Sequence, residues 1–335
     1  MHQCGRLHRR GVLAIGGGLA ALASGLAAVP VIGRTPPLRA VSGAAFGTSW
    51  HALLPDSLPL AEFANRAETR LSALDAALSP WRRDSVVTAF NRAQAGATAR
   101  GDDLLLVARQ SLAIAGASGG QFDPTVGPLV ARFGFGPISD GSDRPDWRQI
   151  EVAGSRIVKT TDGTTFDPCG IAKGHALDRL AALARGVGAE AGFIEFGGEI
   201  IAWGAHPDGR AWRAGVEDPR VGQTGLVATL ALGDAALATS GNKVNGYDFA
   251  GQSYGHIIAP DRQGPRRSSL LSVTVLAETA IVADGWATAL MAAGPELGQQ
   301  LAKRNDLSAL FVLNRANSAP DLVTTGTLSD GLERI

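Results

Sequence analysis

The chain has 335 residues, 45% apolar and 19% charged, enough to bury a sizeable core and too apolar for global disorder. Its 31 basic and 31 acidic residues cancel and form no block, so no electrostatic footprint for nucleic acid is present.

The first predicted element is a leader. Arg6, Arg9 and Arg10, with no acid among them, precede an apolar run rich in Ala, Gly and Leu from Gly11 to Ile32, with a small-residue cleavage site near Ala28. Residues 1–28 read as an export signal, and Arg9-Arg10 gives it a twin-arginine character, which would carry the protein out folded, to the periplasm. An uncleaved anchor in the inner membrane is the alternative, because the run is long enough to span a bilayer. Cleavage removes three of the 31 basic residues, leaving 28 against 31 acidic, and leaves Cys169 as the one cysteine, without an internal disulfide. "GGGLAALASG" in this run follows arginines and not a strand, so it is no dinucleotide fingerprint.

Beyond the leader, "AAFGTSWHALLP" (44–55) reads as a strand and "LAEFANRAETRLSALDAAL" (60–78) as an amphipathic helix that stops before "SPWRRDS". A helix follows at about 101–118, then the turn-rich "GGQFDPTVGPLVARFGFGP", a short strand near "RIVKT", and a helix from Ile171 to about Arg185. "GVGAEAG" ends that helix as a C-cap. Residues 192–204 alternate as a strand pair about a Gly-Gly turn. "WRAGVEDP", "GLVATLALGDAALATSG", "SYGHIIAP" and "SLLSVTVLAETA" add strands. Helices are expected from about Ala280 and over "PELGQQLAKR", then a closing strand, "LSALFVLN". Strands and helices do not alternate regularly, so the expected class is α+β, with mixed, largely antiparallel sheets and packed helices.

Three places could carry chemistry. "DPCGIAKGHALDRL" sets Asp167, Cys169, Gly170 and Lys173 at a helix entrance, where unpaired N–H groups and a lysine suit an anion. Asp167 could equally be that helix's cap. Asp284 and Thr288, four apart on a helix, share a face, and a carboxylate with a hydroxyl suits magnesium; a cap and a hydroxyl bonded to its own helix is the plainer meaning. His256, before a Pro-bounded turn, is a candidate acid or base or simply a hydrogen-bonded strand histidine. "TSGN" (239–242) and "FGGE" (196–199) are small-residue turns suited to a close ligand, and Ser240 lacks the strand–turn–helix setting of a hydrolase nucleophile.

Taken in order, "FDPTVGPLV", "FGFG", "DPCGIAKGHALD", "FGGE", "TSG", "HIIAP" and "VTVLAETAIVADGWATAL" resemble the ApbE family of FAD:protein FMN transferases, from about Phe46 to about Leu313. The resemblance implies a T-fold-like flavin transferase domain over 40–320, and the polar residues 321–335 are expected as a peripheral tail. It also implies an enzyme that moves FMN from FAD to a Thr or Ser of an acceptor protein, releasing AMP with the help of Mg2+. By position it assigns Phe46, Trp81, Gln121, Phe122, Asp123, Asp167, Lys173 and Ile257 to FAD. Gly170, through its carbonyl, and the side chains of Asp284 and Thr288 fall to the metal, and His256 is the candidate base. Ala259 stands where the family usually has Asp. An exported member implies an acceptor flavoprotein in a membrane respiratory electron-transfer system. A hydrolase splitting FAD to FMN and AMP, or a non-catalytic FAD carrier, would use the same residues.

Overall fold

A tight hairpin opens the described chain: β1 (Leu38–Ala45) and β2 (Thr48–Pro55) pair antiparallel across Phe46 and Gly47. Both turn residues have positive φ, 50° and 74°, as a two-residue turn matched to strand twist requires. The single strand expected over 44–55 is therefore a turn followed by a strand. In this computed structural model the described residues are 37–335 except 244–245, 250–251, 263, 266–267 and 316–317, so the export signal at 1–28 lies outside them.

Helix α1 (Leu60–Leu78) buries Phe63, Ala67, Leu71, Leu74 and Leu78, the three-and-four spacing of one helical face. A short α2 (Val86–Arg92), started by Ser85 accepting the Thr88 N–H, escaped the sequence reading because seven residues carry too little periodicity. There follow β3 (Thr98–Ala99), α3 (Asp102–Ser118), α4 (Gly127–Arg132), β4 (Ile150–Ala153), β5 (Arg156–Lys159) and α5 (Ala172–Gly186). Next come β6 (Gly192–Phe196), β7 (Glu199–Trp203), β8 (Trp212–Glu217), β9 (Leu226–Leu232) and β10 (Ala235–Gly241). Short hairpins β11 (Gly246–Phe249)/β12 (Gln252–Gly255) and β13 (Ile258–Ala259)/β14 (Gly264–Pro265) lead to β15 (Leu270–Ala277), α6 (Ala280–Ala293) and α7 (Pro295–Arg304). The chain closes with β16 (Ser308–Leu313), β17 (Asp321–Thr325) and β18 (Leu332–Arg334).

Eight strands form the main sheet in the order β1-β2-β6-β7-β10-β15-β16-β17, each described pairing antiparallel. Smaller sheets β18-β9-β8 and β3-β5-β4 complete an α+β fold. The central strands are buried on both faces, which is why "SALFVL" reads as an unbroken apolar run. Ala309 and Phe311 join the core under α1, α3, α5 and α6, while Leu310 and Val312 pack with Trp212, Val216 and Leu230 of the β8-β9 layer. Residues 321–335, set apart above as a tail, supply the edge strand β17 and the strand β18 on β9. Their polar sequence is that of edge strands with one wet face. Thr239–Gly241, which fall both in an expected strand run and in an expected small-residue turn, are the last residues of β10.

Candidate active site

Helices α5 and α6 cross so closely that only glycine fits at 174: a Cβ there would lie 2.3 Å from the Ala280 carbonyl oxygen. The close approach lets the Gly174 N–H donate to Asp284 Oδ2 at 2.9 Å. One turn on, Asp178 reaches across to accept the N–H groups of Ala280 (2.8 Å) and Ile281 (3.0 Å), capping α6 from outside. Sequence reading gave Asp178 no role, since a cap supplied by another helix leaves no local signature.

Helix α6 is apolar nearly all round, so its two polar groups need partners. Asp284 is not a cap, because the helix begins at Ala280. Nor is Thr288 bonded to its own helix: its hydroxyl donates to the Gly170 carbonyl at 3.2 Å, with Ser240 Oγ 3.3 Å away. Strand alternation brings Ser240 to the face that carries Ala236 and Ala238 under α6.

In the first turn of α5, the Lys173 ammonium donates to Glu199 Oε1. Glu199 opens β7 directly after the positive-φ pair Gly197-Gly198 and is 3% exposed, and its Oε2 is buried without a hydrogen-bond partner. Burial, then the nearby Asp284 charge, push the Glu199 carboxyl up to about 7 against the opposing pull of Lys173. Burial likewise raises Asp284. Burial lowers Lys173, but Glu199 and Asp284 outweigh it and hold the ammonium charged. Two carboxylates, both buried, thus face one ammonium at the cavity wall. "FGGE" marked the turn, and Glu199 is the functional candidate it left unassigned.

Asp167 does not cap α5, whose N-cap position is Ile171; its Oδ1 accepts the Cys169 N–H at 3.0 Å and shapes the turn that presents Gly170. Burial raises its carboxyl. Asp123 spends its carboxylate within the fold, accepting Thr125 N–H (2.8 Å), Thr125 hydroxyl (2.6 Å) and Trp147 N–H (3.1 Å). Cys169 opens onto the same space, and the enclosing walls, then the Asp167 charge, keep its thiol well above the usual cysteine range. A thiol so held is a poor nucleophile.

Apolar surface completes the enclosure. Trp81 stands 66% exposed at the rim, Phe122 is buried in the wall, and Phe46 leans on Phe196 with ring centroids 5.7 Å apart. His256 meets Phe135 edge-on at 6.4 Å. One cavity of about 760 Å³ is lined by Phe46, Trp81, Gln121, Phe122, Asp123, Asp167, Gly170, Lys173, His256, Ile257, Asp284 and Thr288, together with Glu199 and Ser240. Every residue singled out from the sequence for cofactor, metal or catalysis therefore meets at one place, of a size for a cofactor-sized ligand.

The corner also fits a hard cation. Its donors are the Asp284 carboxylate, the Thr288 hydroxyl and the Gly170 carbonyl, all oxygen, and the orphaned Glu199 Oε2 and the excess carboxylate call for positive charge. No group of three or more His, Cys, Asp or Glu able to hold a metal occurs among the described residues, so a site for a small cation must lean on neutral oxygens, water or ligand phosphate.

The ApbE family model matches residues 46–311. Similar proteins include the FAD:protein FMN transferase of Vibrio cholerae, 33% identical over 253 residues, 70% of this chain and 75% of that one. That of Escherichia coli K12 is 29% identical over 297 residues, 83% of this chain and 85% of its own. Among solved structures, the flavin transferase ApbE from Vibrio cholerae superposes with a TM-score of 0.78 at 26% identity, covering 88% of this chain and 100% of that chain. The apo flavinyl transferase ApbE of Pseudomonas stutzeri gives 0.79 at 28% identity, covering 88% and 96%.

Proposed function

The chain belongs to the ApbE family, and from that premise we propose that it is an FAD:protein FMN transferase that joins FMN to a Thr or Ser hydroxyl of an acceptor protein, releases AMP and depends on Mg2+. The observation that carries this reading is the single cavity in which an aromatic rim, a lysine-bearing helix entrance and a buried carboxylate corner converge. Trp81 and Phe122 offer flat apolar surface to the flavin and adenine rings. Asp167, fixed by its own turn, suits a ring N–H or a ribityl hydroxyl.

Gly170, Asp284 and Thr288 would hold the cation, which when bound neutralises pyrophosphate charge as the bridging bond opens. Lys173 adds a fixed positive charge beside it, and Glu199 keeps that ammonium protonated and in place. His256 takes the proton from the incoming hydroxyl as its oxygen attacks the FMN phosphorus. One P–O bond forms, the pyrophosphate P–O bond breaks, and AMP leaves with the electron pair. Positioning and charge do most of this work, which suits a site built from fixed backbone groups and one base.

The leader supports delivery to the periplasm, and an exported enzyme of this kind fits an acceptor in a membrane respiratory electron-transfer system. No helix among the described residues is long and apolar enough to cross a membrane. Incubation with FAD, Mg2+ and a Thr-containing acceptor tests the activity. Covalent flavin on the acceptor supports transfer, free FMN in its place would mean a hydrolase, and intact FAD a carrier.

A further inference from the structure

Two side chains of α2 grip two separate walls of the cavity. Thr88 donates its hydroxyl to the Arg82 carbonyl at 2.7 Å, holding the backbone beside Trp81. Its own position is fixed by Ser85, whose hydroxyl accepts the Thr88 N–H and donates to Thr88 Oγ1, both at 3.0 Å. Three residues along the same helix, Asn91 donates from Nδ2 to the Phe166 carbonyl (3.0 Å) and accepts the Phe166 N–H at Oδ1 (2.7 Å). That pairing copies a strand neighbour and fixes the backbone immediately before Asp167.

The far end of α2 is anchored at a cost. Lys159 is fully buried, and its ammonium donates to the carbonyls of Asn91 (3.0 Å) and Ala93 (2.8 Å), lying 5.1 Å over the Phe90 ring. It satisfies carbonyls left open at a helix C-terminus, where positive charge is favoured. The helix is thus locked at both ends, and the backbone at Arg82 and at Phe166 is tied to one short helix.

We infer that α2 is a brace that fixes the separation of the Trp81 and Asp167 walls, and that Thr88 and Asn91 are positioning residues for FAD, acting through Arg82 and Phe166. This rests on the functional reading above, in which those walls receive FAD. Neither side chain lines the cavity itself, so their effect on the ligand is transmitted through backbone alone.

The test compares Thr88→Val, Asn91→Ala and Val216→Ala in the full chain. Val216 lies in the core of the β8-β9 layer and serves as a destabilised control outside the cavity. FAD dissociation constants are measured by flavin fluorescence well below each melting point, with KM and kcat for transfer. Losing either grip is expected to weaken FAD binding about tenfold and to raise KM with it, while kcat stays within about threefold in Thr88→Val, because the wall Thr88 holds carries neither His256 nor a proposed metal ligand. Val216→Ala should lower the melting temperature and leave FAD affinity unchanged. Wild-type affinity in both Thr88→Val and Asn91→Ala, or an equal loss in Val216→Ala, would overturn the brace. A wild-type chain that does not bind FAD would overturn the functional reading and the brace's role with it.

Discussion

Replacing Gly174 by alanine tests the contact on which the carboxylate corner depends. The added Cβ would stand 2.3 Å from the Ala280 oxygen, 2.6 Å from its carbon and 2.8 Å from Asp284 Cβ. Ordinary contact begins near 3.4 Å, so α5 and α6 must part by about 1 Å, and the two closest obstructing atoms are backbone and the third a Cβ, none of which can swing aside. Overpacking of this kind costs roughly 1–3 kcal/mol. Parting the helices also lengthens the 2.9 Å bond from Gly174 N–H to the buried Asp284 carboxylate beyond useful range, about 1.5–3 kcal/mol for a bond to a charged group. Alanine returns roughly 0.5–1 kcal/mol through its better helix propensity. The net expectation is a loss of about 3 kcal/mol, a fall in melting temperature of about 4–5 °C in a chain of this size. Differential scanning fluorimetry reads the stability, and a Mg2+ titration on the same samples reads the proposed cation site, where affinity should drop as Asp284 shifts. Melting within about 2 °C of wild type, with Mg2+ response intact, would refute the argument from close packing.

Asp284→Ala should abolish transfer and the Mg2+-induced thermal shift, with Thr288→Ala milder, since a hydroxyl and a carbonyl hold magnesium weakly against phosphate. Full transfer by Asp284→Ala at low Mg2+ would remove the metal assignment. His256→Ala should still bind FAD while single-turnover transfer falls by roughly two to four orders of magnitude, partly restored at higher pH as hydroxide replaces the base. Weakened FAD binding with an unchanged saturated rate would make His256 a packing residue instead. His175 is buried beside Asp103 (2.9 Å), with Arg70 and Arg179 near, and burial holds its pKa below the ordinary 6.5. The unfolded chain then binds the extra proton as pH falls through 6.5, so stability is lost on acidification. Melting temperature should therefore fall less steeply between about pH 7 and pH 5 in His175→Gln than in wild type, and parallel slopes would contradict this.

Much of the site was legible because its residues sit in short, ordered motifs with distinctive chemistry. Helical spacing put Asp284 and Thr288 on one face, and Asp167 to Lys173 crowd glycine, acid and lysine at a helix entrance, but only the order of the motifs, through the resemblance to the ApbE family, gave these residues to the metal and FAD. What those motifs could not express is which oxygen meets which partner. The plain meanings offered for Asp284, Thr288 and Asp167 as caps or self-bonded groups all fail, because α6 starts earlier than its acid and α5 later than Asp167. Glu199, Asp178 and Asn91 were illegible for a shared reason: each completes a contact with a residue 26 to 103 positions away. The main strands were found, yet "SALFVL" could not announce that its two faces belong to two different cores.

Phe46 brings stability and binding into conflict at a single position. Its backbone occupies the left-handed region at φ 50°, a conformation costing an ordinary residue about 1–2 kcal/mol that glycine or asparagine would largely avoid, yet its ring lines the cavity. A screen for heat resistance should favour exchange at this turn, and a screen for flavin capture should reject it. Directed evolution for a sturdier enzyme is therefore best kept away from the β1–β2 corner, where the gain in robustness would be drawn from the ligand.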